Sequence, residues 1–130
     1  MVEVGPSPRG GRGLFATAPL AGDVLLLTSP ILLVPADQRE HLLQTVVDDY
    51  VYEWDDEGTA ALVLGASSMC NHDPEPNAYL WLVPEAQVAE LWTTRPIAAG
   101  EEITVSYRAA GDDAPLWFEV VRPEVERPER

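Results

Sequence analysis

Lysine is absent from this sequence, and cysteine occurs only once, as Cys70. A single cysteine excludes an internal disulfide framework and a zinc site with several cysteine ligands. Free thiols are typical of proteins in a reducing compartment, so we expect a cytoplasmic protein.

Long apolar runs are also missing. The longest stretch, over residues 24–34, is interrupted by Thr28, Ser29 and Pro30, so the sequence predicts no membrane span. The first residues lack the basic-then-apolar pattern of a secretory signal. We therefore expect no membrane partner.

Positive charge is scarce. Eight arginines stand against 22 acidic residues, which gives a formal net charge of −14. Such a surface repels phosphates and anionic lipids, so we expect no direct nucleic-acid binding and an affinity for cationic proteins or peptides. Adaptation to salty surroundings, or to a coding sequence rich in G and C, would explain the same charge equally well.

The pattern of apolar residues predicts one mostly β domain. A chain of 130 residues is long enough for one hydrophobic core, and glycine or proline separates many short β-branched runs. Strands are predicted over residues 2–4, 14–18, 24–28, 31–34, 49–54, 59–64, 79–83, 88–94 and 103–107.

Three further predictions concern individual elements. Ser29 and Pro30 should separate two buried strands. Apolar spacing predicts the one helix over Asp37–Val47, capped by Asp37. Alternation over residues 49–54 should place Tyr50, Tyr52 and Trp54 on one face of a strand.

A glycine-rich segment runs from residue 9 to residue 13 and contains three glycines. Glycine permits positive φ, and the backbone N–H groups from Gly11 to Gly13 can face an anion such as a carboxylate. A lone Gly-x-Gly is more typical of a hairpin corner, and this one lacks the lysine of a phosphate loop.

The segment from Asn71 to Asn77 is a polar, proline-spaced loop. A zinc site there lacks ligands, because Cys70 and His72 alternate along the chain and His41 lies on the predicted helix. Cys70 and His72 also make a poor nucleophile–base pair, since neighbours two apart rarely form that hydrogen bond. A hydrogen-bonded Asn-His turn that only holds the loop stays open.

Residues 100–107 begin as a glycine-led turn and continue as a strand. Glu101 and Glu102 have the pattern of a solvated turn, and Tyr107 ends the strand. A tyrosine in that position is most often part of a core.

Taken together, three segments resemble the SET domain, the fold of most protein-lysine methyltransferases. They are Gly11 to Ala16, Asn71-His72 through Pro76-Asn77, and Gly100 to Tyr107, in the family's order and spacing. The resemblance covers roughly residues 1–118. It is nearest to the small stand-alone members, such as the compact viral histone methyltransferase, through residues 49–52 and 61–65.

The resemblance implies a β-clip-like fold of small curved sheets with one short helix. In that fold the chain after Tyr107 passes the loop of Asn71 and His72 in a pseudoknot, which joins both motifs. Residues 1–108 would form the SET core. Residues 109–130 would supply an aromatic cofactor cover at Trp117, with Phe118 beside it, and a mobile tail.

The implied activity is methyl transfer from S-adenosylmethionine to a lysine side chain of a basic protein, histone-like or ribosomal. The implied roles are cofactor binding by Gly11, Arg12, Gly13, Asn71, His72 and Trp117, a lysine channel lined by Tyr50 or alternatively Tyr52, and catalysis by Tyr107. No metal is implied.

The sequence departs from the family pattern at a few positions. Asp73 stands where the family often has serine, and Met69 and Cys70 replace bulkier residues. The C-terminal cysteine cluster that binds zinc in many members is absent.

Two other interpretations stay open: a SET-like module that binds a basic peptide or cofactor with little turnover, and a plain β-clip structural domain. So do pairing as a homodimer and a location on chromatin or the nucleoid through a protein substrate.

Overall fold

The computed structural model describes residues 1–106 of the chain. These residues are mostly strand, which confirms the predicted class. The strands are β1 (Val2–Pro6), β2 (Arg12–Ala16), β3 (Leu25–Val34), β4 (Val51–Glu53), β5 (Ala60–Val63), β6 (Asn71–His72), β7 (Ala78–Val83), β8 (Val88–Thr93) and β9 (Glu102–Val105). Helix α1 is Arg39–Leu42, and short 3-10 helices cover Ala36–Gln38, Val46–Tyr50 and Ala66–Met69. No helix within residues 1–106 has the length and apolar character to span a membrane.

The strands form two sheets. One has four strands in the order β1-β2-β9-β6, and the other has five in the order β4-β5-β3-β8-β7. The pairing of β6 with β9 is parallel and aligns Asn71 with Thr104 and His72 with Val105. Asn71 and His72 thus belong to a short strand rather than to a simple loop, because a distant strand supplies their backbone partners. This pairing brings the second and third sequence motifs side by side.

Strand β3 is continuous, so the predicted break at Ser29 and Pro30 was wrong. Residues 25–30 pair with β8, and residues 31–34 pair with β5. Pro30 lies where the strand changes partners. Its carbonyl oxygen accepts a hydrogen bond of 2.9 Å from Leu64 N, and the next residue, Ile31, donates to Gln87 O. A proline at this junction removes no N–H that the ladder requires.

The predicted helix over Asp37–Val47 was too long. Thr45 adopts an extended conformation, its hydroxyl accepts from Val47 N, and it donates to Leu42 O. These side-chain bonds end the helix after one turn, as a threonine that competes with the backbone can do. Leu43 and Val46 remain 65% and 68% exposed. Their apolar face therefore lacks the packing that stabilises an amphipathic helix.

The predicted common face of Tyr50, Tyr52 and Trp54 was wrong for Tyr50, whereas Tyr52 and Trp54 both pack in or against the core. Tyr50 ends a 3-10 helix and is 39% exposed, whereas Tyr52 lies in β4 and is 7% exposed. Tyr50 belongs to the 3-10 helix before β4, so the alternation of the strand does not include it. The hairpin that follows, from β4 to β5, was predicted correctly.

Asn77 joins the two sheets. It is 1% exposed, and its Nδ2 donates to Glu102 O at 2.8 Å. Its Oδ1 accepts from Thr104 N, also at 2.8 Å. The buried side chain of Asn77 supplies hydrogen-bond partners to two backbone groups of β9. It thereby fixes the position of the start of β7 relative to β9.

We predict that Asn77→Ala lowers the free energy of unfolding by about 3 kcal/mol, because two buried backbone groups lose their partners. Urea denaturation followed by tryptophan fluorescence measures the change. Gln44→Ala removes an exposed amide and serves as the control, with an expected change of less than about 0.5 kcal/mol. Equal stabilities for the two variants would show that Asn77 is not a structural link.

Candidate functional site

The glycine-rich loop is a tight turn that leads into β2. Ser7 N donates to Gly11 O at 3.0 Å, and Gly10 N donates to Ser7 O at 3.1 Å. Gly10 and Gly11 have φ values of 121° and 56°. Glycine is needed at these two positions because residues with a Cβ rarely adopt such angles.

The carboxylate of Glu102 lies behind this loop, so the prediction that Glu102 is in a solvated turn was wrong. Its side chain is 4% exposed. Ser7 Oγ donates to its Oε1 and Oε2 at 2.8 and 2.9 Å, Arg9 Nη1 donates to Oε1 at 2.8 Å, and Asn71 Nδ2 donates to Oε2 at 2.8 Å. Glu101 remains at the turn surface, where it pairs with Arg95.

Hydrogen bonding keeps this buried carboxylate ionised. Burial disfavours its charge, but hydrogen bonds from Asn71, Ser7 and Arg9 outweigh burial and hold the pKa of Glu102 below its ordinary value. Arg9 also bonds Asp73 at 2.7 Å. The pKa of Asp73 is lowered as well, first by the backbone N–H of Glu75 and then by Arg9. Arg9 thus bridges the 71–77 segment and β9.

Asn71 connects β6 to the glycine-rich loop. Its Nδ2 donates to Arg12 O at 3.1 Å as well as to Glu102. Both amide hydrogens are therefore used, and the remaining polar atom of the side chain, Oδ1, is a hydrogen-bond acceptor.

A cavity of about 330 Å³ opens beside these residues. Its volume is in the range of small-molecule sites. It is lined by Gly11, Arg12, Asp49, Tyr50, Ser68, Met69, Cys70 and Asn71. The cavity thus brings together four of the residues that the sequence singled out: Gly11, Arg12, Tyr50 and Asn71.

The other predicted site residues lie elsewhere. Gly13 and His72 flank the cavity-lining residues in sequence but do not line the cavity, and Tyr52 is packed in the core. Tyr107 and Trp117 fall outside the described residues.

Cys70 lines the cavity as a protonated thiol. Burial, followed by the negative charge of Glu102, raises the pKa of Cys70 to about 12. Because the thiolate is the reactive species, Cys70 is a poor nucleophile at neutral pH. Within residues 1–106, no three histidine, cysteine or acidic side chains are grouped as metal ligands.

Sequence reasoning missed Ser7, Arg9 and Glu102 as parts of this site. Glu102 lies 95 residues from Ser7 and 31 from Asn71, so no local pattern links them. One available signal was the strand alternation that puts Glu102 on the same face as Thr104. Gly13 was a second signal, since a buried strand glycine often marks a close approach by another group.

Comparison with known proteins gives consistent matches. The family model described as "SET domain" matches residues 11–108. A histone-lysine N-methyltransferase of Schizosaccharomyces pombe, specific for H3 lysine-37, is 37% identical over 119 residues, which cover 91% of this chain and 77% of that protein.

Two solved structures share the fold at 23% identity. A candidate histone methyltransferase of Plasmodium falciparum superposes with a TM-score of 0.67, covering 85% of this chain and 95% of its own. A humanized mutant of the Chaetomium thermophilum Polycomb Repressive Complex 2, bound to the inhibitor GSK126, gives 0.64, covering 88% of this chain and 15% of its own.

We predict that Gly13→Ala lowers the free energy of unfolding by about 2 kcal/mol, as overpacking in a tight site does. A Cβ at Gly13 would collide with the Glu102 carboxylate and lie 3.0 Å from Asn71 Nδ2. The control is Gly5→Ala on β1, whose Cβ would make an ordinary contact of 3.8 Å with Phe15. If chemical denaturation finds both variants equally stable, the space behind Gly13 is not filled as described.

We predict that the protein loses stability as the pH falls below about 4.5, the ordinary pKa of a glutamate. The folded-state pKa values of Glu102 and Asp73 are lowered, so the unfolded chain binds more protons in this window and their contribution is complete only above it. Arg9→Met should make the fall in stability below about pH 4.5 shallower, as measured by urea denaturation at a series of pH values.

Arg12→Met is the control for this pH series, because Arg12 has no salt bridge with the described residues. It should keep the wild-type slope. A slope in Arg9→Met equal to that of the wild type would contradict the role given to Arg9.

Proposed function

The chain belongs to the SET-domain family and is a protein-lysine methyltransferase, and we propose that it transfers a methyl group from S-adenosylmethionine to a lysine of a basic protein. The polar groups of the cavity support the cofactor, and the net charge of the chain supports the class of substrate.

The polar groups of the cavity suit the cofactor. Of the four arginines in residues 1–106, Arg9, Arg39 and Arg95 form salt bridges, whereas Arg12 has no salt bridge with a residue in that range and lines the cavity. Asn71, on the same lining, has an amide oxygen left as an acceptor. A cation and an acceptor complement a carboxylate and an ammonium group, which form the amino-acid end of S-adenosylmethionine. This pairing is the observation that carries the proposal.

Roles for the chain's own residues follow from this orientation. When bound, S-adenosylmethionine supplies an electrophilic methyl group for in-line transfer. Arg12 and the loop at Gly11 would hold the carboxylate, and Asn71 would accept from the ammonium group. Tyr50, the exposed member of the tyrosine pair, would narrow the cavity toward the acceptor lysine. Such alignment is the main contribution that a protein makes to a displacement reaction.

Three roles are carried by resemblance. His72 would contact adenine through its backbone, Trp117 would cover the ring, and the hydroxyl of Tyr107 would face the methyl-transfer point. Residues 107 and 117 are beyond the described part of the chain, so their roles rest on the motif alone.

Net charge supports a cationic substrate. The chain has a formal net charge of −14, and one of its carboxyl groups, that of Asp49, lines the cavity. Opposite charge accelerates encounter and suppresses partners of like charge. We propose a lysine in a histone-like or other basic protein, met in the cytoplasm or on chromatin through that protein.

We predict that Tyr107→Phe slows methyl transfer about 100-fold, because the hydroxyl that directs the acceptor is lost. Affinity for S-adenosylhomocysteine should change less than about twofold. Label from tritiated S-adenosylmethionine, incorporated into basic proteins of a cell lysate, measures the rate, and calorimetry measures binding. Mass mapping of the labelled band identifies the modified residue.

The matched control is Tyr79→Phe, which removes a hydroxyl from β7 at a residue that does not line the cavity. It should leave the rate within about twofold of the wild type. Labelling that continues undiminished in Tyr107→Phe removes Tyr107 from the reaction. Cofactor binding without any label in the wild type would favour the module that binds without turnover.

A further inference from the structure

The side-chain amide of Asn71 has only one favourable orientation. Its Nδ2 faces two acceptors, Glu102 Oε2 at 2.8 Å and Arg12 O at 3.1 Å. Turning the amide over would bring Oδ1 against both of these oxygens, and acceptors cannot bond one another. Of the two facing groups, Glu102 is the charged one, so it exerts the stronger preference.

Glu102 is itself held in place on several sides. Ser7 and Arg9 donate to it from the N-terminal segment, and the backbone of Gly13 passes so close that a Cβ there would collide with the carboxylate. The carboxylate therefore has little freedom to follow Asn71 if that side chain moves. A fixed anion on one side of an amide sets the direction of the amide's other end.

We propose that Glu102 is a positioning residue, which orients Asn71 so that its Oδ1 accepts a hydrogen bond from the ammonium group of the methyl donor. This inference rests on the proposed function, since it assumes that the cavity takes the amino-acid end of that donor. Glu102 acts only through Asn71 and touches neither the cofactor nor the substrate.

Glu102→Gln tests the proposal with a side chain of the same size. A glutamine keeps its amide oxygen against the Arg9 cation, the stronger donor, and so places its NH₂ group against Asn71 Nδ2, where two donors meet. Asn71 can relieve this conflict by turning over, which would direct its own NH₂ toward the ligand ammonium. The matched control is Glu101→Gln, one residue away, whose carboxylate is bonded to Arg95 instead.

The measurement pairs each protein with two ligands. S-adenosylhomocysteine carries the α-ammonium group, and a synthetic analogue without the α-amino group lacks only that contact. In the wild type and in Glu101→Gln, removing the amino group should weaken binding about tenfold, as the loss of one charge-assisted hydrogen bond does. In Glu102→Gln the two ligands should bind within about twofold of each other. Such a protein–ligand cycle isolates the coupling between Glu102 and the ammonium group.

The outcomes separate the possible failures. A merely structural role for Glu102 would weaken both ligands equally and keep the tenfold ratio, which would overturn the proposal. Wild-type protein that binds neither ligand would overturn the proposed function instead.

NMR of the Asn71 side-chain amide gives a readout without ligand, and it applies to the wild type even if Glu102→Gln fails to fold. Both amide protons should be shifted downfield and protected from exchange. Protons at the positions of a solvated amide would overturn the proposal.

Discussion

The candidate site depends on the hydrogen bonds that the buried Glu102 carboxylate accepts. A carboxylate that is 4% exposed is stable as an anion only when donors fill its lone pairs. Its donors are Ser7, Arg9 and Asn71, which belong to two segments far apart in sequence. One anion therefore holds the glycine-rich loop, β6 and β9 in register. Apolar burial alone does not specify direction in this way, because it is non-directional.

This ion acts together with a short and intrinsically weak pairing. Strand β6 has two residues and pairs in parallel with β9, and parallel pairing is slightly less stable per residue than antiparallel pairing. Asn77 strengthens the connection from the far end of the same segment by bonding the backbone of Glu102 and Thr104. The segment from Asn71 to Asn77 is thus fixed at both ends to one buried strand, which keeps the cavity wall in place.

Local sequence patterns predicted the hairpins. The patterns failed where the structure of a residue depends on partners that are distant in sequence. The hairpin of β7 and β8 follows from alternation and a turn, both of which lie within a few residues. Pro30 was misread because its effect depends on which strands lie beside β3. Glu102 was misread because a Gly-Glu-Glu turn carries no sign of donors that lie 31 to 95 residues away. Gly11, Arg12 and Asn71 were singled out through their combined resemblance to a family, since each alone fits a common turn.

The distribution of charge places a cation, Arg12, at the cavity of an acidic chain. A net charge of −14 repels a ligand carboxylate at long range. The planar guanidinium of Arg9 bonds Glu102 and Asp73 through two different nitrogens, which a lysine ammonium cannot reproduce with the same fixed geometry. Arg9 is engaged by these two acids, whereas Arg12 has no salt bridge within residues 1–106 and lines the cavity. Arg12 and Asp49 thus give the cavity lining one cationic and one anionic side chain, to which a zwitterionic group is better matched than a simple anion.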